Sequence, residues 1–137
     1  MTARLPRHRV KGYRTDAAIL AAEAWVAPYD PAKPIEEQVR QALREVARKL
    51  GWRCWHQYDS RRSDPGLPDE ILVRPPRVLF IELKAPKGVY SDEQRDALAL
   101  LAKCPGVETY AIRSTGDRAR DQAAFAQLLG PRARRAA

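Results

Sequence analysis

Residues 68–84 read PDEILVRPPRVLFIELK, in which two apolar runs are separated by a pair of prolines. The runs at 71–73 and 78–83 are rich in Val, Ile, Leu and Phe, residues that are typical of strands. Pro75 and Pro76 favour a turn between the two runs. The stretch therefore predicts a β-hairpin.

Charged side chains gather at the open end of this hairpin. Side chains alternate between the two faces of a strand, so Glu82 and Lys84 share one face. The hairpin brings Asp69, on the facing strand, beside them. Burial of these charges costs free energy unless a metal ion or mutual pairing offsets it. The pattern alone is therefore compatible with a structural ion pair and with a metal site.

The sequence around these three residues extends the pattern. Pro68-Asp69 is followed, after twelve residues, by Glu82-Leu83-Lys84, which resembles the PD-(D/E)XK nuclease motif. The wider set resembles the virus-type replication-repair nuclease (VRR-NUC) branch of that superfamily, in its small stand-alone phage and bacterial form. That resemblance spans residues 35–113 and is carried by Gly66, Gly88, His56, LGW at 50–52, DSRRS at 59–63, FIELKA at 80–85 and SDEQ at 91–94.

The resemblance implies a restriction-endonuclease-like core with a divalent metal ion. Asp69 and Glu82 would hold Mg²⁺, with Mn²⁺ as the alternative ion, and the Leu83 carbonyl and Glu36 would complete the shell. Lys84 would orient or help to deprotonate the attacking water and stabilise the charge that develops on the phosphate.

Glu70 departs from the aliphatic residue that the resembled family has after the motif Asp. It points to the opposite face of its strand from Asp69. We expect Glu70 to lie near solvent at the strand end and to stay outside the metal shell.

The metal-binding glutamate of the first helix has two candidates. Apolar residues recur at helical spacing over 35–50, and Gly51 is a typical helix stop. Glu36 lies three residues before Val39, on the apolar stripe, whereas Glu37 is turned about 100° away. By spacing, Glu36 matches the resembled family and Glu37 is the fallback. Both residues also fit a simpler role as first-turn acids that complement the helix dipole.

Ser91 and Gln94 open the predicted helix at 91–103 and also have two interpretations. Ser-x-x-Gln is a capping box, in which each side chain bonds the backbone N–H of the other residue. The resemblance implies instead that Gln94 reaches the active site and positions Lys84 or the phosphate. Leu98, Leu101 and Ala102 are expected to face inward.

Contacts with nucleic acid are predicted around this centre. Arg61 and Arg62 lie in the polar loop before the motif and would bind phosphates, although a solvated loop explains them equally well. Lys87 lies in the loop after the motif, and Ser91 lies at a helix N-terminus, a favourable place for a phosphate. His56 is interpreted as a structural or substrate-side residue rather than a metal ligand.

The charge of the chain is concentrated at its ends. The 137 residues carry 25 Lys and Arg against 17 Asp and Glu, a net charge of +8. The whole excess is accounted for by eight residues, Arg4, Arg7, Arg9, Lys11, Arg14, Arg132, Arg134 and Arg135. Such basic ends favour phosphate contacts, although solubility alone also explains them.

Neither a membrane segment nor a zinc motif is evident in the sequence. There is no run of about 18 apolar residues, so no membrane span is expected. Cys54 and Cys104 lie far apart without zinc spacing and are expected to be reduced packing residues. A cytoplasmic protein, in a bacterial or phage-infected cell, is the prediction.

The predicted order of elements is helix, three strands, helix, strand and helix, with an extra N-terminal helix at 15–27. This is an α/β fold, a mixed central sheet flanked by helices. We divide the chain into a basic arm with a stiff Pro-rich linker at 1–34, a nuclease domain at 35–130 and a basic tail at 131–137. The remaining predicted bounds are strands at 52–58 and 107–113 and a closing helix at 117–129.

The expected function is a metal-dependent endonuclease that hydrolyses DNA phosphodiester bonds. The resemblance implies branched substrates such as four-way junctions and a symmetric homodimer with two sites. The alternatives are a nuclease for other DNA or RNA structures, a non-catalytic DNA-binding module, and a structural protein with an ion-paired hairpin. The intact Asp69, Glu82 and Lys84 argue against the binding module.

Overall fold

The computed structural model describes residues 26–57 and 64–131. Its elements are α1 (Ile35–Lys49), β1 (Arg53–His56), β2 (Glu70–Arg74), β3 (Arg77–Lys84), α2 (Asp92–Ala102), β4 (Val107–Arg113) and α3 (Arg118–Leu129). This order confirms the predicted α/β fold. The predicted helix at 15–27 lies almost wholly outside the described residues, as do the basic residues of both ends.

The described chain divides into a helical unit, up to Gly51 and from Thr115, and a sheet unit from Trp52 to Ser114. In the helical unit α1 packs against α3, and Gln122 donates a hydrogen bond to the Ala42 carbonyl at 3.2 Å. The buried apolar residues of the two helices are Val39, Ala42, Leu43, Val46, Ala47, Phe125, Ala126 and Leu129. These positions repeat at helical spacing, so each helix buries one stripe.

The segment before α1 is fixed to the helical unit. Tyr29 is buried, and its hydroxyl donates to the Asp121 carboxylate of α3 at 2.7 Å. Gln38 of α1 accepts a hydrogen bond from the Asp30 N–H at 2.7 Å and donates to the Asp30 carbonyl at 2.9 Å. The proline-rich segment therefore does more than the stiff, extended linker that we predicted, because it helps to hold the starts of both helices.

The sheet has the strand order β1-β2-β3-β4. The first three strands run antiparallel, and β3 pairs with β4 in parallel. The predicted hairpin is confirmed, with Pro75 and Pro76 between β2 and β3. β1 is shorter than the predicted 52–58. On one face of the sheet Leu72, Leu79, Ile81 and Leu83 are completely buried.

Helix α2 is less covered than we predicted. Leu98 and Leu101 are half-buried, Ala102 is exposed, and within the described helix no residue is fully buried. The inward position expected for Ala102 is therefore wrong. The packing role expected for Cys104 is also wrong, because this cysteine is exposed after α2, whereas Cys54 is half-buried.

Within the described ranges no helix is long and apolar enough to cross a membrane.

An ionic cluster closes the turn end of the sheet. Arg77 donates to both oxygens of the Glu108 carboxylate at 2.7 and 2.8 Å, and Tyr110 donates to the same carboxylate at 2.7 Å. The guanidinium groups of Arg74 and Arg77 lie 4.7 and 5.2 Å from the ring centroid of Trp52. Chiefly because of the hydrogen bond from Arg77, the pKa of Glu108 is lowered.

We expect Glu108→Gln to lower the free energy of unfolding at pH 7 by about 1 kcal/mol, because a half-exposed bidentate pair is lost. A lowered carboxyl pKa stabilises the fold above its unfolded value and loses that effect as pH falls through the folded value. The difference between wild type and variant should therefore shrink as pH falls below the ordinary glutamate pKa of about 4.3. Urea unfolding across pH measures it, with the exposed Asp96→Asn as control. An unchanged difference at low pH would contradict the ion pair.

Candidate active site

Asp69 and Glu82 meet at the open end of the β2–β3 hairpin. Glu70 pairs with Ile81 in the antiparallel register, so the preceding Asp69 faces Glu82. The Asp69 N–H donates to Glu82 Oε2 at 3.2 Å. The juxtaposition expected from the alternation of side chains is therefore present.

The Glu82 carboxylate is buried in an unfavourable setting. Its residue is 1% exposed, and desolvation, followed by the nearby Asp69 carboxylate, raises its pKa to about 8. The Lys84 ammonium, 3.7 Å from Glu82 Oε1, acts in the opposite direction. Two neighbouring carboxyl groups such as those of Asp69 and Glu82 do not both ionise readily unless a cation lies beside them.

Gln94 links this carboxylate to the start of α2. Its Nε2 donates to Glu82 Oε1 at 2.8 Å, while its Oε1 accepts from the Ser91 N–H at 2.9 Å. The Ser91 hydroxyl in turn accepts from the Gln94 N–H at 3.1 Å. The two interpretations of Gln94 are thus compatible, since one amide group closes the capping box and contacts Glu82.

Gly66 fixes the approach of the chain to Asp69. Its φ is +90°, and a Cβ added there would lie 2.3 Å from the Glu93 carbonyl oxygen in the first turn of α2. Only glycine tolerates both the left-handed conformation and this contact with backbone. The sequence predicted the turn but not the close approach to α2.

Glu70 is buried, which corrects our expectation that it lies near solvent. It is 0% exposed, and its Oε1 lies 2.8 Å from His56 Nδ1. The physical reason is the register of β1 and β2, which places His56 directly opposite Glu70. The buried Glu70 carboxylate therefore has a polar partner on the neighbouring strand.

His56 also supports the backbone of Asp69. Its Nδ1 lies 3.2 Å from the Asp69 carbonyl oxygen, which accepts a further hydrogen bond from the Gln57 N–H at 3.2 Å. This geometry agrees with the structural interpretation of His56. A contact between His56 and nucleic acid stays a prediction.

Two residues beside Lys84 were not predicted from the sequence, Tyr90 and Arg113. The Tyr90 ring centroid lies 5.9 Å from Lys84 Nζ and 5.6 Å from the Arg113 guanidinium carbon. Arg113 is the partner of Lys84 in the parallel register of β3 and β4. We predicted the strand that carries Arg113, but its register depends on the crossover through α2, for which the sequence has no local signal.

The remaining predicted residues lie as follows. Glu36 is half-buried in the first turn of α1, in the helical unit, whereas Glu37 is exposed and forms an ion pair with Arg40. This difference favours Glu36 over Glu37, and a part for Glu36 in a metal site stays a prediction.

Ser91 and Lys87 are exposed around the start of α2, as a role in phosphate contact requires. Arg61 and Arg62 lie outside the described residues.

The donor set fits a hard cation with few protein ligands. Among residues 26–57 and 64–131, no group of three or more His, Cys, Asp and Glu side chains is arranged to hold a metal. Asp69 and Glu82 alone supply two carboxylates, and Mg²⁺ is commonly held by one or two carboxylates with waters and substrate phosphates. A bound cation would offset the repulsion between these two carboxylates.

Comparison with known proteins agrees with this description. The mixed sheet with its hairpin-end carboxylates defines the class of restriction-endonuclease-like nuclease folds. The model of the VRR-NUC domain family matches residues 27–116. The chain therefore belongs to the VRR-NUC domain family, a family of nucleases.

Two solved structures are similar to this chain. A structure described as a VRR-NUC domain has 21% sequence identity, covers 60% of this chain and 87% of its own, and gives a TM-score of 0.50. Archaeoglobus fulgidus Hjc, a Holliday junction resolvase from an archaeal hyperthermophile, has 25% identity, covers 57% of this chain and 65% of its own, and gives a TM-score of 0.45. None of the curated proteins that were compared matches the chain.

The Glu82 carboxyl predicts a pH dependence of stability without metal. The Glu82 carboxyl loses its proton near pH 4.5 in the unfolded state and near pH 8 in the folded state. Between these two values the folded state therefore binds more protons than the unfolded state. The free energy of unfolding should therefore fall as pH rises through this window. Glu82→Gln should flatten the decline, measured by urea unfolding in EDTA. The exposed Glu93→Gln is the control, and equal slopes in all three proteins would contradict the raised pKa.

Proposed function

We propose that this nuclease is a metal-dependent endonuclease that hydrolyses phosphodiester bonds in DNA. The observation that carries the proposal is the contact of Asp69, Lys84 and Gln94 with the buried Glu82 carboxylate. Lone structural ion pairs rarely place a second carboxylate against a buried one, because the repulsion destabilises the fold.

Mg²⁺ is the proposed ion, with Mn²⁺ as the alternative. Asp69 and Glu82 would hold it, with the Leu83 carbonyl and Glu36 as further ligands. When bound, such an ion neutralises phosphate charge, makes a water more nucleophilic and helps the leaving oxygen. Gln94 keeps Glu82 Oε1 oriented through the 2.8 Å hydrogen bond, so that Oε2 faces Asp69.

Lys84 is the proposed partner of the water and the phosphate. The water oxygen forms the new bond to phosphorus and loses a proton to solvent, while the bond from phosphorus to the leaving oxygen breaks and that oxygen takes up a proton from solvent. An ammonium group at this place orients the water and stabilises the additional negative charge of the pentavalent state. Its side chain is 14% exposed, so its charge is less screened than that of a surface lysine.

Binding of the substrate is proposed along the exposed rim of this centre. Ser91 and Lys87 lie beside the N-terminus of α2, whose backbone N–H groups favour a phosphate. Arg61 and Arg62 are proposed to add phosphate contacts, and His56 is proposed on the substrate side. Four-way junctions are the preferred substrate by resemblance to small stand-alone members of the family, and the cell cytoplasm is the proposed location.

A symmetric homodimer is the proposed assembly. Two sites related by a two-fold axis suit the cleavage of two strands of a junction. Leu100 on α2, whose side chain is 66% exposed, is the candidate contact residue for this proposal.

Cleavage of labelled four-way junction, flap, single-stranded and linear duplex DNA tests the function. We expect cutting with Mg²⁺ or Mn²⁺, none with EDTA, and a preference for the junction. Lys84→Ala should lower kcat by about 10²- to 10⁴-fold, the usual contribution of a positioned proton-transfer group. Lys103→Ala, which removes an exposed charge after α2, is the matched control.

The possible failures differ in meaning. Tight binding of DNA without cutting in any metal would leave a non-catalytic binding module. Cutting of RNA alone would change the substrate class. Unchanged cutting by a folded Lys84→Ala protein would remove Lys84 from the chemistry.

The dimer predicts a molar mass of twice the 15.5 kDa of the chain. Leu100→Glu should shift the protein to the monomer mass, because it places a charge at a position that the proposed dimer would bury. Light scattering after size exclusion measures this change, with Ala124→Glu on the exposed side of α3 as control. A wild-type monomer at working concentration, with or without junction DNA, would contradict the assembly.

A further inference from the structure

Tyr90 lies between the cationic side chains of Lys84 and Arg113, and the proposed chemistry gives no role to Tyr90 or Arg113. Its ring centroid is 5.9 Å from Lys84 Nζ and 5.6 Å from the guanidinium carbon of Arg113. Both distances are within the range of cation–π attraction, which acts most strongly at partly desolvated sites. Tyr90 is half-buried, and burial raises the pKa of its hydroxyl, so the ring stays neutral between the two cations.

Arg113 holds the loop that carries Tyr90. Its Nη1 donates to the carbonyl oxygen of Pro86 at 3.2 Å and also to that of Gly88. The Gly88 N–H donates back to the Ala85 carbonyl at 2.9 Å. A Cβ added at Gly88 would lie 3.2 Å from the Lys84 Cβ, so the loop lies directly against the lysine stem. The guanidinium thus fixes both the loop backbone and the ring.

Lys84 requires such a restraint because of its flexibility. A lysine side chain loses substantial rotamer entropy when it is held in one place. Its 3.7 Å approach to Glu82 Oε1 is long for a direct hydrogen bond, and that oxygen already accepts from Gln94 at 2.8 Å. The Tyr90 ring is a second, neutral contact for the ammonium group that does not compete for the carboxylate oxygens.

We propose that Tyr90 is a positioning residue for Lys84 and that Arg113, through the loop 85–90, holds Tyr90 in place. The expected effect of Tyr90 on the cleavage rate rests on the proposed function, whereas the contact between Tyr90 and Lys84 does not. An aromatic ring at position 90 is then required, whereas the hydroxyl is not.

The geometry is tested first, without any substrate. In protein with ¹³C-labelled lysine, the ring current of Tyr90 should shift the ε-methylene protons of Lys84 upfield, and Lys84→Ala assigns the signal by its loss. Tyr90→Phe should keep the shift, Tyr90→Leu should remove it, and Arg113→Gln should reduce it. Val89→Ala, at the exposed neighbouring position, is the control. A shift that survives in Tyr90→Leu would overturn the proposal.

The rate is tested with the preferred DNA substrate. We expect Tyr90→Leu to lower kcat by about tenfold, in line with one cation–π contact, and to change KM less than twofold. Tyr90→Phe should keep wild-type kcat. In the Lys84→Ala background Tyr90→Leu should cost nothing further, because a residue that acts through Lys84 loses its effect with it.

The two proposals fail in different ways. If Tyr90→Leu lowers kcat equally in the presence and absence of Lys84, the role of Tyr90 is only structural. The same conclusion follows if Tyr90→Leu lowers thermal stability and leaves kcat unchanged. An active wild type with an unaffected Lys84→Ala variant would instead remove the proposed role of Lys84. A protein that cuts no DNA but shows the ring-current pattern would keep the geometry and overturn the proposed function.

Discussion

The structure depends on a carboxylate that is buried where it repels its neighbour. Glu82 is 1% exposed beside Asp69, and its pKa is raised to about 8 by burial and by that neighbour. A group of this kind does not stabilise the fold in its charged form. The surrounding backbone and side chains therefore have to hold the Glu82 carboxylate in place.

Backbone contacts provide most of that support. The Asp69 N–H bonds Glu82, the Asp69 carbonyl accepts from the Gln57 N–H, and Gly66 packs on the Glu93 carbonyl. Backbone groups lose no side-chain entropy when they bond, so they hold the two carboxylates at little cost. Gln94 adds a side-chain contact that is itself fixed by the capping box.

The sequence predicted those parts of the site that follow from local periodicity. Alternation along β3 put Glu82 and Lys84 on one face, and the proline pair predicted the hairpin that adds Asp69. Glu70 was misplaced because its burial depends on a partner from β1, which alternation within one strand does not reveal. Tyr90 and Arg113 were missed for a related reason, since the parallel register of β3 and β4 arises from a crossover connection.

Residues outside the motif support the motif residues from both faces of the sheet. Glu70 has a polar partner in His56, which also lies 3.2 Å from the carbonyl oxygen of Asp69. On the opposite face Tyr90 and Arg113 flank Lys84. The motif residues that we propose for the chemistry are therefore supported from both faces by residues outside the motif. A motif match alone identifies the carboxylates and the lysine, but the accuracy of their positions is set by these supporting residues, in agreement with the small tolerance of catalytic geometry.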